Sequence, residues 1–263
     1  MDPQCRVTNH VNNRKSIMFS VFQYKTDNTH MPFIFEYNGT KILLLSINNN
    51  DDTGSWNPAY TDWDNEQDPI HPLNIKYNHC ACNLHAYVLN NKIILSYITF
   101  NNELEYCLYQ TDTMDMINFS DPILLETNCW TGFAKQNEIL TAYGIKMKII
   151  KNDTVTNYRF LNFKNIYRIS PISDNKLVIT SLLKNDKFAT FVLQYENVLS
   201  PRIYQINNNT TSEIYKSTIY DNTLVLAIDP TNENSVRNRK LFFTDQYDFK
   251  EVTNNILLNI ENS

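Results

Sequence analysis

Between Asn48 and Pro72 the chain gathers Trp56, Tyr60, Asp62, Trp63, Asp64, Glu66, Asp68 and His71, and so holds two of its three tryptophans. Carboxylates beside aromatic rings are the chemistry of a sugar site. The ring stacks on apolar C–H faces, and the carboxylates accept hydroxyl hydrogen bonds. Read as a long insert in a loop, the segment offers Trp56, Asp62, Trp63, Asp64 and Glu66 as ligand contacts. The competing reading is a solvated loop whose tryptophans pack back onto the scaffold. A second cluster, His79-Cys80-Ala81-Cys82-Asn83-Leu84-His85, holds zinc-type ligands. Its spacing is poor for a structural site, because in an extended strand Cys80 and Cys82 face away from His79 and His85. Buried thiols on a strand are the simpler reading, and no metal or cofactor is expected.

The elements that position these residues follow from a repeat. Five times an apolar run meets a tight polar turn and then a branched apolar run ending near Ser, Thr or Ala. The copies are Phe33 to Ser46, Ala86 to Ser96, Gly132 to Ala142, Ser170 to Ser181 and Ser217 to Ala227. The residues just after the turns, Lys41, Lys92, Glu138, Lys176 and Thr223, are 51, 46, 38 and 47 residues apart. Each copy reads as a β-hairpin, with Asn and Asp standing where tight turns need positive φ. Only 4 glycines are present, so Asn must take those positions. A second hairpin follows each of the later copies, for example Met147 to Ile150 with Tyr158 to Leu161. Two hairpins per repeat predict an all-β fold: a five-bladed β-propeller with four-stranded antiparallel blades. The expected blades are roughly 16–75, 76–126, 127–164, 165–206 and 207–256, in a single domain. The alternative is a two-sheet sandwich.

Two segments carry a resemblance. Thr111-Asp112-Thr113-Met114-Asp115-Met116-Ile117-Asn118-Phe119-Ser120-Asp121-Pro122 looks like the outer hairpin of glycosidase-type propellers, and Phe242 to Phe249 looks like a second copy. On these the chain resembles the five-bladed furanosidase-type propellers of the glycoside hydrolases, over most of its length. That resemblance implies three acids at the starts of the inner strands. Here those starts read Thr29 to Pro32, Cys82 to His85, Cys129 to Gly132, Tyr167 to Ser170 and Ile214 to Ser217, with no Asp or Glu. Glycoside cleavage needs paired carboxylates at a defined separation. What the starts supply is His30, His85, Trp130, Arg168, Tyr215 and Lys216. These suit a polar or anionic ligand, or else simply fill the axis.

Composition narrows the rest. A net charge of −5 with scattered basic residues argues against a nucleic-acid partner. No apolar run approaches the ~20 residues of a membrane span, and the first residues lack a signal-peptide core, so a cytoplasmic location is expected, in a host cell or virion if the source is viral. Five cysteines without such a signal point to free thiols. Abundant Asn, Ile, Lys and Tyr suggest an AT-rich genome, such as that of a large virus. The expected function is a non-catalytic propeller binding a glycan or other polar ligand through its loop-bearing face. Two alternatives stay open. One is a divergent glycosidase using Asp62, Asp64 or Glu66 with Glu213. The other is a viral or pathogen protein that binds another protein.

Overall fold

The computed structural model describes residues 29–48, 56–65, 67–76, 82–100, 105–208, 213–221, 223–229, 240–244, 247–252 and 258–262. The first blade is β1 (Thr29–Tyr37), β2 (Thr40–Asn48), β3 (Trp56–Asp62) and β4 (His71–Pro72). The second is β5 (Cys82–Leu89), β6 (Lys92–Phe100), β7 (Tyr106–Thr113) and β8 (Ile123–Glu126). The third is β9 (Thr131–Lys135), β10 (Glu138–Tyr143), β11 (Lys146–Lys151) and β12 (Thr154–Phe160). The fourth is β13 (Phe163–Ser173), β14 (Lys176–Leu183), β15 (Phe188–Gln194) and β16 (Arg202–Asn208). A fifth sheet has three strands, β17 (Glu213–Tyr220), β18 (Thr223–Asp229) and β19 (Lys240–Thr244).

The fold is an all-β propeller with four-stranded antiparallel blades, but among the described residues there are four such blades and not the expected five. The cause lies in the last strands. β20 (Tyr247–Glu251) would have closed the fifth sheet beside β19; instead it pairs with β16 at the outer edge of the fourth blade. β21 (Leu258–Asn262) likewise pairs with β12 at the outer edge of the third. Both cover rows of backbone N–H and C=O that an edge strand would leave open.

The turns form as the asparagines require. Asn38-Gly39, Asn90-Asn91 and Asn152-Asp153 each join two strands as a two-residue loop, with φ of 51° and 78°, 51° and 60°, and 48° and 62°. Positive φ at both positions is the hairpin turn whose twist matches the strands.

The first strands of the sheets touch in the order β1, β5, β9, β13, β17 and back to β1, which closes a ring around an axis. Sheets pack through their faces. Phe33, Phe35 and Leu44 meet Leu84, Ile93 and Leu95 between the first two blades. Ile98 and Leu108 meet Cys129 between the second and third. Phe133 and Leu140 meet Ile169 and Ile179 between the third and fourth, and Val178 and Val192 meet Ile219 and Leu224 beyond. Each such side chain contributes roughly 1.5–3 kcal/mol on leaving water. The Ser or Thr that ends the repeated phrase also links sheets. Ser96 Oγ accepts from the Ala134 N–H at 3.2 Å, and Thr180 and Ser217 hydroxyls meet at 2.5 Å. Among the described residues no helix is long and apolar enough to cross a membrane.

Candidate functional site

Antiparallel strands give the disc two faces. The inner strands begin on one, here the start face, and both hairpin turns of a blade lie on the other, the turn face. The Tyr37 hydroxyl shows the second grouping: from the end of β1 it donates to the carbonyls of Asn91 (3.0 Å) and Met114 (3.1 Å), in two different turns of the second blade.

This division separates the residues singled out in the sequence. The segment expected as a loop insert is the outer hairpin of the first blade. β3 pairs with β2 from Trp56 opposite Asn48 to Asp62 opposite Ile42. Trp56 therefore sits on the start face and Trp63 just past the opposite end, ~20 Å away along the strand. They form no joint platform. Trp63 is only 5% exposed, and its N–H donates to the Lys41 carbonyl at 2.7 Å. The side chains of His30, Trp56, Cys82, Glu213, Tyr215 and Lys216 lie outside the described residues, as do Glu66, His79 and Cys80 entirely. Among the described residues no group of three or more His, Cys, Asp or Glu could hold a metal.

The acids of the turn face shape turns. Asp68 Oδ2 accepts from the Asp62 N–H (2.7 Å) and the Thr61 hydroxyl (3.2 Å), and Asp68 Oδ1 lies 3.0 Å from His71 Nε2. Burial pushes the Asp68 pKa up, but those hydrogen bonds outweigh it and hold the carboxyl below its ordinary value. Asp62 Oδ1 accepts from the Asp64 N–H at 2.8 Å. The second blade repeats the arrangement. Thr111 Oγ1 donates to the Ser120 carbonyl (2.7 Å) and Ser120 Oγ accepts from the Asp112 N–H (3.0 Å). Ser120 thus does there what Asp68 does in the first blade. Asp115 accepts from the Asn118 and Ile117 N–H groups, which lower its pKa. The motif that carried the family resemblance is a turn device.

The axis is filled. His85 and Arg168, expected as pocket residues, are 1% and 0% exposed. His85 Nε2 lies 3.2 Å from Ser170 Oγ, which meets Thr218 Oγ1 at 2.9 Å. Since β9 stands between β5 and β13 in the ring, the His85–Ser170 contact crosses the axis. Phe33 and Phe133 flank the imidazole with centroids at 5.0 and 5.2 Å. Burial first, and then the Arg168 charge, drive the His85 pKa well below normal, against hydrogen bonds at Asn83 and Gly132. The ring is neutral at physiological pH. Asn83 Oδ1 accepts from Thr131 Oγ1 at 2.7 Å, and that hydroxyl in turn accepts from the Ile169 N–H at 3.1 Å. Around the axis the described polar side chains, His85, Asn83, Thr131, Ser170 and Thr218, are buried and linked by hydrogen bonds, with no carboxylate among them.

The start face is different. Four inner strands break register near their beginnings: β1 between His30 and Phe33, β5 between Cys82 and His85, β13 between Ile166 and Arg168, and β17 between Ile214 and Lys216. Bulges re-aim side chains and are common beside functional sites. Half-buried aromatic rings stand on the same face. Trp130 meets Tyr106 edge-on at 4.7 Å, Tyr106 meets Phe100 at 4.0 Å, and Tyr167 meets Phe188 at 5.2 Å. Of these the sequence singled out only Trp130. Phe100 ends β6, and Tyr106 and Phe188 stand at the starts of β7 and β15, so these rings meet at the start face only once the second hairpin of each blade pairs with the first. Beneath Trp130 lies Cys129, buried beside Cys107. Burial and then that neighbour push its thiol up to about 12.

No protein-family model and no curated protein matches the chain in sequence. Solved structures do match in shape. An α-L-arabinofuranosidase from Podospora anserina, solved with cellotriose, superposes with a TM-score of 0.52 at 9% identity, over 85% of this chain and 91% of that one. A β-xylosidase/α-arabinofuranosidase of glycoside hydrolase family 43, from a compost metagenome and solved with xylotriose, gives 0.52 at 7% identity over 82% and 90%. A β-xylosidase, RS223, gives 0.52 at 8% over 85% and 93%. At such identities the likeness is one of fold: this chain is built as the propellers of those glycosidases are built.

Proposed function

We propose that the chain binds a glycan, or another polar ligand with an apolar face, on the start face of the propeller, without cleaving it. The observation that carries this reading is the shared height of the four bulges and the half-buried rings Phe100, Tyr106 and Trp130 beside them. Sugar rings stack on such surfaces. Tyr215 and His30 stand at the same strand starts and join Trp130 as proposed contacts. The solved propellers that match in shape were named for xylose and arabinose chemistry, two of them solved with trisaccharides, which supports a pentose- or glucose-based oligosaccharide. Against cleavage stand the carboxylates themselves. Asp62, Asp68 and Asp115 are committed to turns, Glu126 and Glu138 to Lys148 and Lys151. Asp62 and Asp64 stand at the turn-face ends of strands and Glu213 at the start-face end of β17, ~20 Å apart along a strand. A glycosidase pair stands about 5–10 Å apart. A panel of xylo-, arabino- and cello-oligosaccharides tests the reading by calorimetry. Trp130→Ala and Tyr106→Ala should each weaken binding roughly tenfold with little change in melting temperature. A wild type that binds none of the panel rejects it.

A further inference from the structure

The third and fourth blades each carry a fifth strand on their outer edge. β21 lies on β12 and β20 on β16, while among the described residues nothing pairs with the outer edge of β8 in the second blade. The rim strands also fill a groove. Ile260 of β21, opposite Tyr158, and Val252, which follows β20, pack into the cluster between the third and fourth blades. An added strand thus makes two kinds of contact: backbone pairing along an outer strand, and an apolar side chain set between two blades.

The groove between the second and third blades is open where that side chain would go. Ile98, Leu108 and Cys129 fill its start-face half, and Lys148 bridges the two blades there by its ion pair with Glu126 at 2.8 Å. Toward the turn face the blades part around a cleft of about 390 Å³. Tyr87, Gln110 and Leu125 line it from the second blade, and Ala134, Ile139 and Ile150 from the third. Register explains the last three. Ile139 stands opposite both Ala134 and Ile150, so they form one row on the face turned to the second blade. The alternate row, Phe133, Leu140 and Ile149, packs against the fourth.

Exposed apolar surface gathers on the same blade. Of the eight exposed large apolar side chains among the described residues, five belong to it: Val88, Met114, Ile117, Ile123 and Leu124. The last two are in β8 itself. Such a gathering marks an interaction surface. β4, the outer strand of the first blade, is a poor template, with two residues of which one is Pro72. Charge selects the partner. Asp112, Asp121 and Glu126 are paired with Lys92, Lys76 and Lys148. Asp115, in the turn before β8, accepts only N–H groups and a hydroxyl, and Asp153 stands at the cleft with no cation partner among the described residues. A second copy would bring the same acids to the edge, whereas a segment carrying Lys or Arg is attracted to them.

We propose that β8 takes up an extended segment of another protein, alternating apolar and basic residues, as a fifth strand of the second blade, with an apolar side chain seated in the cleft beside Leu125. Adding a strand to an open sheet edge is a common mode of peptide recognition. The site lies on the rim and the turn face, so it is independent of what the start face binds.

An end-blocked seven-residue peptide alternating Lys with Val tests this, beside one with Glu for Lys and one with Pro for the central Val. Hydrogen exchange of the full chain is read by mass spectrometry. At ten times its dissociation constant the Lys peptide should slow exchange at 123–126 roughly tenfold and leave 240–244, in β19, unchanged. The Glu and Pro peptides should do neither. Gln110→Trp fills the cleft from a half-buried position, and Ile123→Lys puts a cation at a site that is 62% exposed. Each should weaken binding roughly tenfold without altering exchange of the free chain. If Gln110→Trp fails to fold, Ile123→Lys carries the test alone. Asp153→Asn, which keeps the positive φ of that turn, should weaken binding about threefold. No slowing at 123–126 by the Lys peptide would overturn the proposal, and so would equal slowing by the Glu peptide or slowing at 240–244 in its place. Protection of all of 123–126 in the free chain would mean that the edge is already covered. If that protection fades on dilution, with a dimer in sedimentation, the cover is a second copy. Either result rejects the partner proposed.

Discussion

His85 joins the two arcs of the inner ring. It is held between Phe33 and Phe133, touches Ser170 across the axis and faces the Arg168 charge. Its folded pKa is depressed, while the unfolded chain takes up a proton near pH ~6.5. The native state does not share that proton, so stability is fully present above that pH and falls below it. The slope from this one group is about 1.4 kcal/mol per pH unit. Urea midpoints measured from pH 7 to pH 5 should therefore decline more steeply in the wild type than in His85→Gln. Equal slopes would show that the imidazole charges in place. Cys129 makes a second case at this scale. Buried against Cys107, with its pKa raised to about 12, it has almost no thiolate at pH 8. Iodoacetamide at pH 8 should leave the peptides holding Cys107 and Cys129 unmodified until denaturant is added, and modification of folded protein at those peptides would contradict the packing. Neither residue's role was legible in its neighbours along the chain. A cross-axis partner is a property of the closed ring.

At the scale of strands, the repeat was readable because its signals are local. Alternation, a two-residue turn and Asn tolerating positive φ all lie within about fourteen residues of sequence. β3 was hidden by its own composition. Pro58 within Trp56–Asp62 breaks the donor row, and Asn57, Thr61 and Asp62 read as loop. Its pairing rests on β2 and on the Pro58 carbonyl, which accepts from the Leu73 N–H at 2.9 Å. β9 shows how closely an inner strand can approach its neighbour. A methyl group on Gly132 would stand 2.7 Å from the Leu140 carbonyl oxygen and 3.1 Å from the Thr141 methyl. The backbone oxygen is held in the β9–β10 ladder, where Gly132 pairs with Thr141 and Phe133 with Leu140, so it cannot move cheaply. Gly132→Ala should cost roughly 1–3 kcal/mol by denaturant unfolding. Gly144→Ala, with nothing within 4 Å, should cost only the strain of its positive φ. A harmless Gly132→Ala would mean that β9 stands further from β10 than it is drawn.

The whole molecule is held together by strands that the repeat does not encode. After β19 the chain leaves the fifth sheet and runs back along the rim, first as β20 beside β16 and then as β21 beside β12. The repeat pattern placed residues 207–256 in one blade, which would have made β20 the fifth sheet's own last strand. Nothing local distinguishes that pairing from the observed one, since among the described residues β16 and β19 are both the outer strands of their sheets. Of their described side chains, Phe249 of β20 is half exposed, and Ile260 of β21 is partly buried against the cluster of the third and fourth blades. Their larger effect is on association. β12 is a seven-residue strand whose open edge would present its unpaired N–H and C=O groups to any extended chain. A protein ending at Val252 removes β21 while keeping every strand of the ring. Its melting temperature should fall by a few degrees, since the partly buried Ile260 leaves with the strand. Its sedimentation should show self-association that the full chain lacks, and an Asn157→Pro change should abolish it by deleting a donor on that edge, since the N–H groups of Thr156 and Tyr158 face β11 and that of Asn157 faces β21. A truncated chain that stays monomeric at high concentration would show that β12 needs no cover, and that β21 serves stability alone.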